Sequence, residues 1–305
     1  MADITRAQLA TLIQEAYSHV LLDAAVTTSC ALQAFPTVNM GTKLTHLPVL
    51  ATLPVAGWVT ENEPPDTTGA KPTSTVGWVD RTLVAEEIAV IIPIHENVLE
   101  DASVDLITEI TMRGGEAIGE ILDLAVLFGV NKPASWVSAD LFTASTAATQ
   151  TTPGNTPAVA AGAKDIVGAV NTASRELANV GLIPDTIIAP LTFRYDVEQI
   201  RDSMGQPIFR NEQFAGYNTV LCRNAAWNPA NAVLFVADSR RMRIGVRQDI
   251  QVKILDQATI GTTNLAERDM IAVRMKARYA WVLGISATRR NANASPVAAV
   301  VPSGS

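Results

Sequence analysis

Cysteine is nearly absent: Cys30 and Cys222 are the only two in 305 residues. Thiols so widely spaced define neither a disulfide framework nor a zinc pattern, and they suit a reducing, intracellular setting. Aromatic residues make up 5% of the chain, and there are three histidines. His19, His46 and His95 fall in different segments with no second histidine or cysteine at ligand spacing, so neither a metal centre nor a cofactor is expected. Basic charge is short as well, with 23 Lys and Arg against 30 Asp and Glu and a net charge of −7. Such a balance excludes a chain whose main work is coating nucleic acid. The most apolar windows, Leu83 to Ile94 and Ile118 to Val130, contain acids and fall short of the roughly 18 to 20 uncharged residues of a bilayer span. No membrane segment is expected. The N-terminus carries a lone Arg6 before an apolar run broken by Asp23, and it reads as no secretory signal.

Catalytic patterns are missing too. There is no phosphate-cradling G-x-x-x-x-G-K-[ST], no G-x-G-x-x-G, no H-E-x-x-H and no calcium loop. Gly284 to Thr288 places Ser286 one glycine short of a nucleophile elbow, and Arg289, Arg290 and Asn291 follow where a helix is needed. Glu61 and Glu63, and Glu86 and Glu87, are paired only in sequence. Adjacent strand residues point to opposite faces, so spacing makes no acid/base dyad of them. Asn293-Ala294-Ser295 is a formal glycosylation sequon without a route to the modifying enzyme. No enzyme machinery emerges.

What the chain does have is 48% hydrophobic residues and 17% charged, enough for one large or two modest domains around a sizeable core. Residues 4 to 22 place Ile4, Leu9, Leu12, Ile13, Tyr17 and Val20 at helical spacing behind an Asp3 cap. From 26 to 53 the chain turns extended, with alternation from Val38 to His46 and prolines at 36, 48 and 54. Two Gly-Trp-Val units, at Trp58 and Trp78, flank the polar centre Pro64, Pro65, Asp66 and Gly69 and predict a protruding β-hairpin whose outgoing strand spans Val76 to Ile94.

A long helix is predicted from a Ser103 cap to a C′ glycine at Gly129, a rod of roughly 38 Å. Its apolar stripe reads Ile107, Ile110, Gly114, Ala117, Ile121, Ala125 and Phe128. Glu109, Arg113, Glu116, Glu120 and Asp123 fall on the other side. After a Thr-, Ala- and Pro-rich boundary comes a helix with Thr156 as cap, Pro157 at its first position and Gly181 just past its end. A strand at 186 to 189 and a helix at 192 to 203 follow. Residues 232 to 236, 242 to 247 and 250 to 254 read as antiparallel neighbours. The last long strand puts Ile271, Val273, Met275, Ala277, Tyr279 and Trp281 on one face and Arg274, Lys276 and Arg278 on the other. The tail from Asn291 is small and polar and reads as loosely ordered.

Arg240, Arg241, Arg243 and Arg247 form the best local basic patch, suited to an acidic face of another subunit, to solvent or to phosphate. Protruding elements make sense when a neighbour covers them, as in a symmetric assembly.

The order of elements resembles the major capsid proteins of tailed bacteriophages, of the Hong Kong 97 type. The resemblance is carried by Gly57 to Glu63 and by Ala89 to Asp101, similar to that family's W-x-x-E and P-I-S-x-E-L-L-E-D stretches with His95 and Asn97 in place of commoner residues. It continues through Ala125 to Gly129, Met204-Gly205-Gln206-Pro207, Phe235 to Asp238 and Arg274 to Trp281, in order along nearly the whole chain. It implies an α+β fold with an N-terminal arm (1–55), an extended loop (56–85), a peripheral domain with the long helix (86–157 and 266–305) and an axial domain (158–265). It further implies hexamers and pentamers closing into an icosahedral shell around double-stranded DNA, assembled in the bacterial cytoplasm. Trp58, Lys71, Trp78 and Arg81 on the loop, with Arg240, Arg241 and Arg243, are the expected inter-subunit contacts. Only some 25 residues precede the extended part, so a separate scaffolding protein is expected, beside portal and decoration proteins. Some members cross-link a loop lysine to an asparagine near the C-terminus. Lys71 and Asn291 could form that bond, but the helping buried glutamate has no clear counterpart among Glu86, Glu87 and Glu267, so the reading stands against it. The alternatives are an encapsulin-like compartment shell, which shares the fold, and a soluble α/β hydrolase-type enzyme using Ser286.

Overall fold

The computed structural model describes residues 29–58, 73–101, 106–154, 165–198, 200, 214, 216–284, 290 and 294–302. The predicted helix at 4 to 22 lies outside them. The described chain begins with a short helix, α1 (Cys30–Ala34), capped by the Ser29 side chain, which accepts from the Leu32 amide. Phe35 then packs on Trp281 at a ring distance of 5.4 Å. β1 (Thr37–Asn39) pairs in parallel with β9 (Met242–Leu255), so the arm supplies one edge of a four-stranded sheet ordered β1, β9, β12 (Met270–Leu283) and β4 (Glu86–His95). β2 (Leu44–Thr52) and β3 (Gly77–Val84) form a separate antiparallel pair; the incoming strand ends before the first Gly-Trp-Val unit, and the outgoing strand predicted from Val76 to Ile94 divides at Ala85 into β3 and β4, which belong to different sheets.

β4 forms the other edge of the four-stranded sheet, and Pro93 pairs with Ala272 rather than ending the strand. An edge strand tolerates proline because no neighbour needs its missing N–H. The short helix α2 (Glu96–Asp101) leads toward the long helix, α3 (Leu106–Phe128), which ends at Gly129 with φ 68°, the left-handed C′ glycine that the sequence predicts. The predicted cap Ser103 lies outside the described residues.

The buried side of α3 differs from the predicted stripe. Thr111, Gly114, Gly115, Ile118, Gly119, Leu122, Asp123 and Ala125 to Leu127 face inward, while Ile121 and Ala117 are exposed. Glycines scarcely register in a hydrophobic pattern, yet here they bring the helix close to the sheet. A Cβ at Gly114 would run into the Met275 side chain on β12. The inward residues of β12, Val273, Met275, Ala277, Tyr279 and Trp281, are all buried in the same core as Ile118, Leu122 and Val126, as the alternation requires.

Beyond α4 (Leu141–Ala147) lies a five-stranded sheet ordered β5 (Thr151–Pro153), β13 (Val297–Val301), β8 (Leu234–Ala237), β6 (Thr186–Pro190) and β7 (Asn218–Cys222). It is covered on both faces, which is why its strands read as continuous apolar runs. Ile187, Leu234, Val236, Ala298 and Val300 pack under α5 (Ile166–Asn179) and α6 (Thr192–Glu198). Ile188, Phe235, Ala237, Val297 and Ala299 point the opposite way into the core of α3 and β12. One sheet therefore joins two cores.

Sheet membership departs from the expected boundaries in three places. β9, placed in sequence with the 158–265 segment, runs as a single 14-residue strand against β12 rather than as two antiparallel neighbours. β5, expected with 86–157, belongs to the five-stranded sheet. β13, read as a loose tail, is buried between β5 and β8. Helix α5 is described from Ile166 with Asp165 as its cap, the carboxylate accepting from the Gly168 amide at 2.8 Å, while the predicted cap Thr156 and Pro157 lie outside the described residues.

Candidate functional site

Three of the five tryptophans are core residues. The indole N–H groups of Trp136, Trp227 and Trp281 donate to the carbonyls of Val84, Ala232 and Ala139, each at 3.0 Å. Trp58 and Trp78 behave differently: they are 101% and 65% exposed, among the exposed Val55, Val76 and Val79 on and beside β2 and β3. A concentration of bare aromatic and branched side chains on a two-stranded sheet is what an interaction surface looks like before its partner arrives. Polar contacts flank the same hairpin. At its base Lys43 meets Glu86 of β4 at 3.7 Å, and across it the His46 ring hydrogen-bonds Asp80. Arg81 stands opposite Leu47, its Nε buried with no partner among the described residues. Lys71 lies outside them.

The predicted arginine patch is engaged within the chain. Arg240 pairs with Asp185 at 3.5 Å, Arg241 with Asp238 at 3.8 Å, and Arg243 donates to the carbonyls of Arg240 and Met242 at 2.7 Å. Asp185 also takes the Ser239 amide and hydroxyl. Burial first, and then the Asp185 charge, push the Asp238 carboxyl above its ordinary range. Two of the three arginines are matched by carboxylates and the third by backbone carbonyls, which leaves this edge one positive charge in excess.

A second basic row lies on the face of the four-stranded sheet turned away from α3. Arg274, Lys276 and Arg278 alternate along β12, with Lys253 of β9 opposite Arg274. Arg278 donates to Glu87 at 2.8 and 3.0 Å and holds that carboxyl below its usual range. The alternation of β12 was visible in sequence, but Lys253 joins it only through pairing with a distant strand.

Asp123 is the functional-looking residue that the sequence reading missed. It was placed among the exposed acids of α3, yet it is fully buried. Its carboxylate accepts from Ser29 Oγ at 2.7 Å, the Cys30 amide at 2.9 Å, the Ala31 amide at 3.0 Å and Asn224 Nδ2 at 2.6 Å. Burial pushes its carboxyl up, while these donors pull it down. Asp123 thus fastens the start of α1 to the long helix. Both cysteines sit beside it.

No catalytic grouping forms among the described residues. Glu86, Glu87 and Glu267, the candidates to assist a cross-link, are none of them buried. Asn291 and Ser286 lie outside the described residues. No described helix is long and apolar enough to cross a membrane.

The described residues present an exposed hairpin and a sheet covered on both faces, and the comparisons say what such a chain is similar to. Residues 13–285 match the phage capsid family. Similar solved structures come from Mycobacterium phage Bobi, at 57% identity with both chains fully covered and a TM-score of 0.82, and from Mycobacterium phage Adephagia, at 54% with 100% and 99% coverage and a TM-score of 0.83. A structure from Microbacterium phage Oxtober96 matches at 36% identity over 90% of this chain and 91% of that one, with a TM-score of 0.81. No curated protein matches. The chain belongs to the phage capsid family. Its work is that of a tailed-phage major capsid protein, a structural subunit of the virion shell.

Proposed function

We propose that this capsid protein works as a Hong Kong 97-type subunit, forming hexamers and pentamers that close an icosahedral shell around double-stranded DNA. The observation that carries the reading is the hairpin of β2 and β3, with Trp58 and Trp78 bare while the other three tryptophans are packed and hydrogen-bonded. Covering a tryptophan buries about 150 to 250 Å², roughly 4 to 6 kcal/mol at 25 cal/mol per Å². Repeated in every copy, such a contact drives closure of a shell without any single strong site. In this arrangement residues 1–55 act as the arm, 56–85 as the extended loop, 86–157 and 266–305 as the peripheral domain and 158–265 as the axial domain, with the exchanges of β5, β9 and β13 described above. Trp58, Lys71, Trp78 and Arg81 meet the neighbouring subunit, and Arg240, Arg241 and Arg243 face another copy along the axial edge. A separate scaffolding protein, portal and decoration proteins complete the particle, which is assembled in the bacterial cytoplasm and touches its DNA without sequence preference.

Assembly is the test. The chain co-expressed with its neighbouring genes is separated by size-exclusion chromatography, and the void fraction is viewed by negative-stain microscopy. Wild type gives rings or closed shells, while Trp58→Ala/Trp78→Ala gives soluble subunits with an unchanged circular dichroism spectrum. Normal shells from the double variant would overturn the role assigned to the hairpin.

A further inference from the structure

The anchor around Asp123 contains more than an anchor needs. Holding α1 takes a carboxylate and its donors, and small apolar side chains would fill the remaining space. Instead two thiols converge there from opposite ends of the sequence. Cys30 Sγ, Cys222 Sγ and a carboxylate oxygen of Asp123 all lie within 4.8 Å of one another. All three residues are at most 3% exposed, and both cysteines are free. Asn224 closes the group: its Oδ1 is 2.9 Å from Cys222 Sγ, and its amide nitrogen is 2.6 Å from Asp123.

We propose that Cys30, Cys222 and Asp123, with Asn224 Oδ1 as the fourth donor, form a closed structural site for a thiophilic divalent cation of the zinc class. Zinc binds thiolates at about 2.3 Å and carboxylate oxygens at about 2.0 to 2.2 Å in tetrahedral sites. Those bond lengths set neighbouring ligands roughly 3.3 to 3.8 Å apart, so the thiol and carboxylate separations need to close by at most about 1 to 1.3 Å, while Asn224 Oδ1 moves back from Cys222 Sγ by roughly half an ångström. Two sulfurs exclude magnesium and calcium, which take oxygen ligands.

The surroundings suit a bound metal. The Ser29 hydroxyl and the Cys30 and Ala31 amides grip the carboxylate and orient it, as outer partners of a ligating carboxylate do. Loading exchanges the cation for two thiol protons. Two thiolates and one carboxylate around a dication leave one net negative charge, which faces those donors. No electron is transferred and no oxidant is needed. The rival fate of the pair, a disulfide, would need a two-electron oxidant, which metal loading does not. Because the ligands come from the arm, α3 and the end of β7, the site is complete only when the arm is docked, and an occupied site locks it there.

The test is a metal count on the full chain, expressed in zinc-supplemented medium and purified with reductant and without chelator. Mass spectrometry of the metal is expected to give about one zinc per chain. Refolding with cobalt is expected to show the near-ultraviolet thiolate-to-cobalt band. Cys30→Ser/Cys222→Ser is expected to lose the metal at least tenfold and the cobalt band entirely. Wild-type chain with less than about a tenth of an equivalent of metal and no cobalt band would overturn the proposal whether or not the variants fold. So would a Cys30–Cys222 disulfide in the intact mass, or zinc retained in the double variant, which would place the ion on other residues.

Discussion

Ser29→Ala isolates the strength of the arm's attachment. Ser29 makes two bonds at once, accepting from the Leu32 amide at 3.2 Å as the cap of α1 and donating to Asp123 at 2.7 Å. Loss of a serine cap costs about 1 kcal/mol. Loss of a hydrogen bond to a charged, buried acceptor costs roughly 1.5 to 3 kcal/mol. Alanine keeps the Cβ and loses only the hydroxyl oxygen, too small a space to add a large cavity cost, so the sum is about 2 to 4 kcal/mol against local opening of α1. Phe35, packed on Trp281, and the buried Cys30, Ala31 and Ala34 still hold the segment in place, and the rest of the fold is untouched. Native-state hydrogen exchange of a peptide spanning 29 to 35 should therefore accelerate by about 30-fold to several hundred-fold, at 1.4 kcal/mol per tenfold. Peptides from β12 should not change. A change under threefold at 29 to 35 would refute the claim that the Ser29 and Asp123 pair secures the arm, and equal acceleration in β12 would show that the arm does not open by itself.

Two further outcomes follow from single contacts. Gly284→Ala places a Cβ against the Arg241 carbonyl oxygen, which accepts the Gly284 N–H at 2.8 Å; a backbone atom cannot rotate away, so urea unfolding should show a loss of about 1 to 3 kcal/mol, and an unchanged midpoint would contradict the packing described. Asp238 has a native pKa raised by burial and by Asp185, so its contribution is fully present below the ordinary carboxylate range and is lost as pH rises through the raised value. Asp238→Asn removes that penalty, and its amide can occupy the Oδ1 position that has no partner among the described residues. The lost contact to the half-exposed Arg241 is worth little. The variant should melt about 2 to 3 °C above wild type at pH 7 and level with it at pH 3, and a lower melting point at pH 7 would refute the assignment.

Local pattern was readable where one element decides its own environment. The inward residues of β12 alternate without interruption from Val273 to Trp281, and Gly129 marks the end of α3 because only a left-handed turn fits there. Pattern failed where the environment comes from far away in sequence. Asp123 looks like its acidic neighbours on α3 until residues 29 to 31 and 224 are folded against it. β9 reads as two strands because Arg247, Gln248 and Asp249 interrupt the apolar run, at the point where the pairing with β12 shifts register between Arg278 and Tyr279. Val297 to Val301 carries no alternation at all, since both faces of that strand are covered. The paired Gly-Trp-Val units suggest that Trp58 and Trp78 face each other, yet Trp78 stands opposite Leu50 and Trp58 lies beyond β2, and only packing separates both from the three that are packed and hydrogen-bonded.

The central place of β13 sets a clock on synthesis. Its partners β5 and β8 are made long before it, yet they touch only through it, Ala299 matching Thr151 on one side and Phe235 on the other. A nascent chain therefore carries a slot in its sheet until residues 297 to 301 leave the ribosome, whatever the earlier elements have done. Until that strand arrives, β5 and β8 each lack the neighbour that β13 supplies, so closure of the sheet waits on residues well downstream of both.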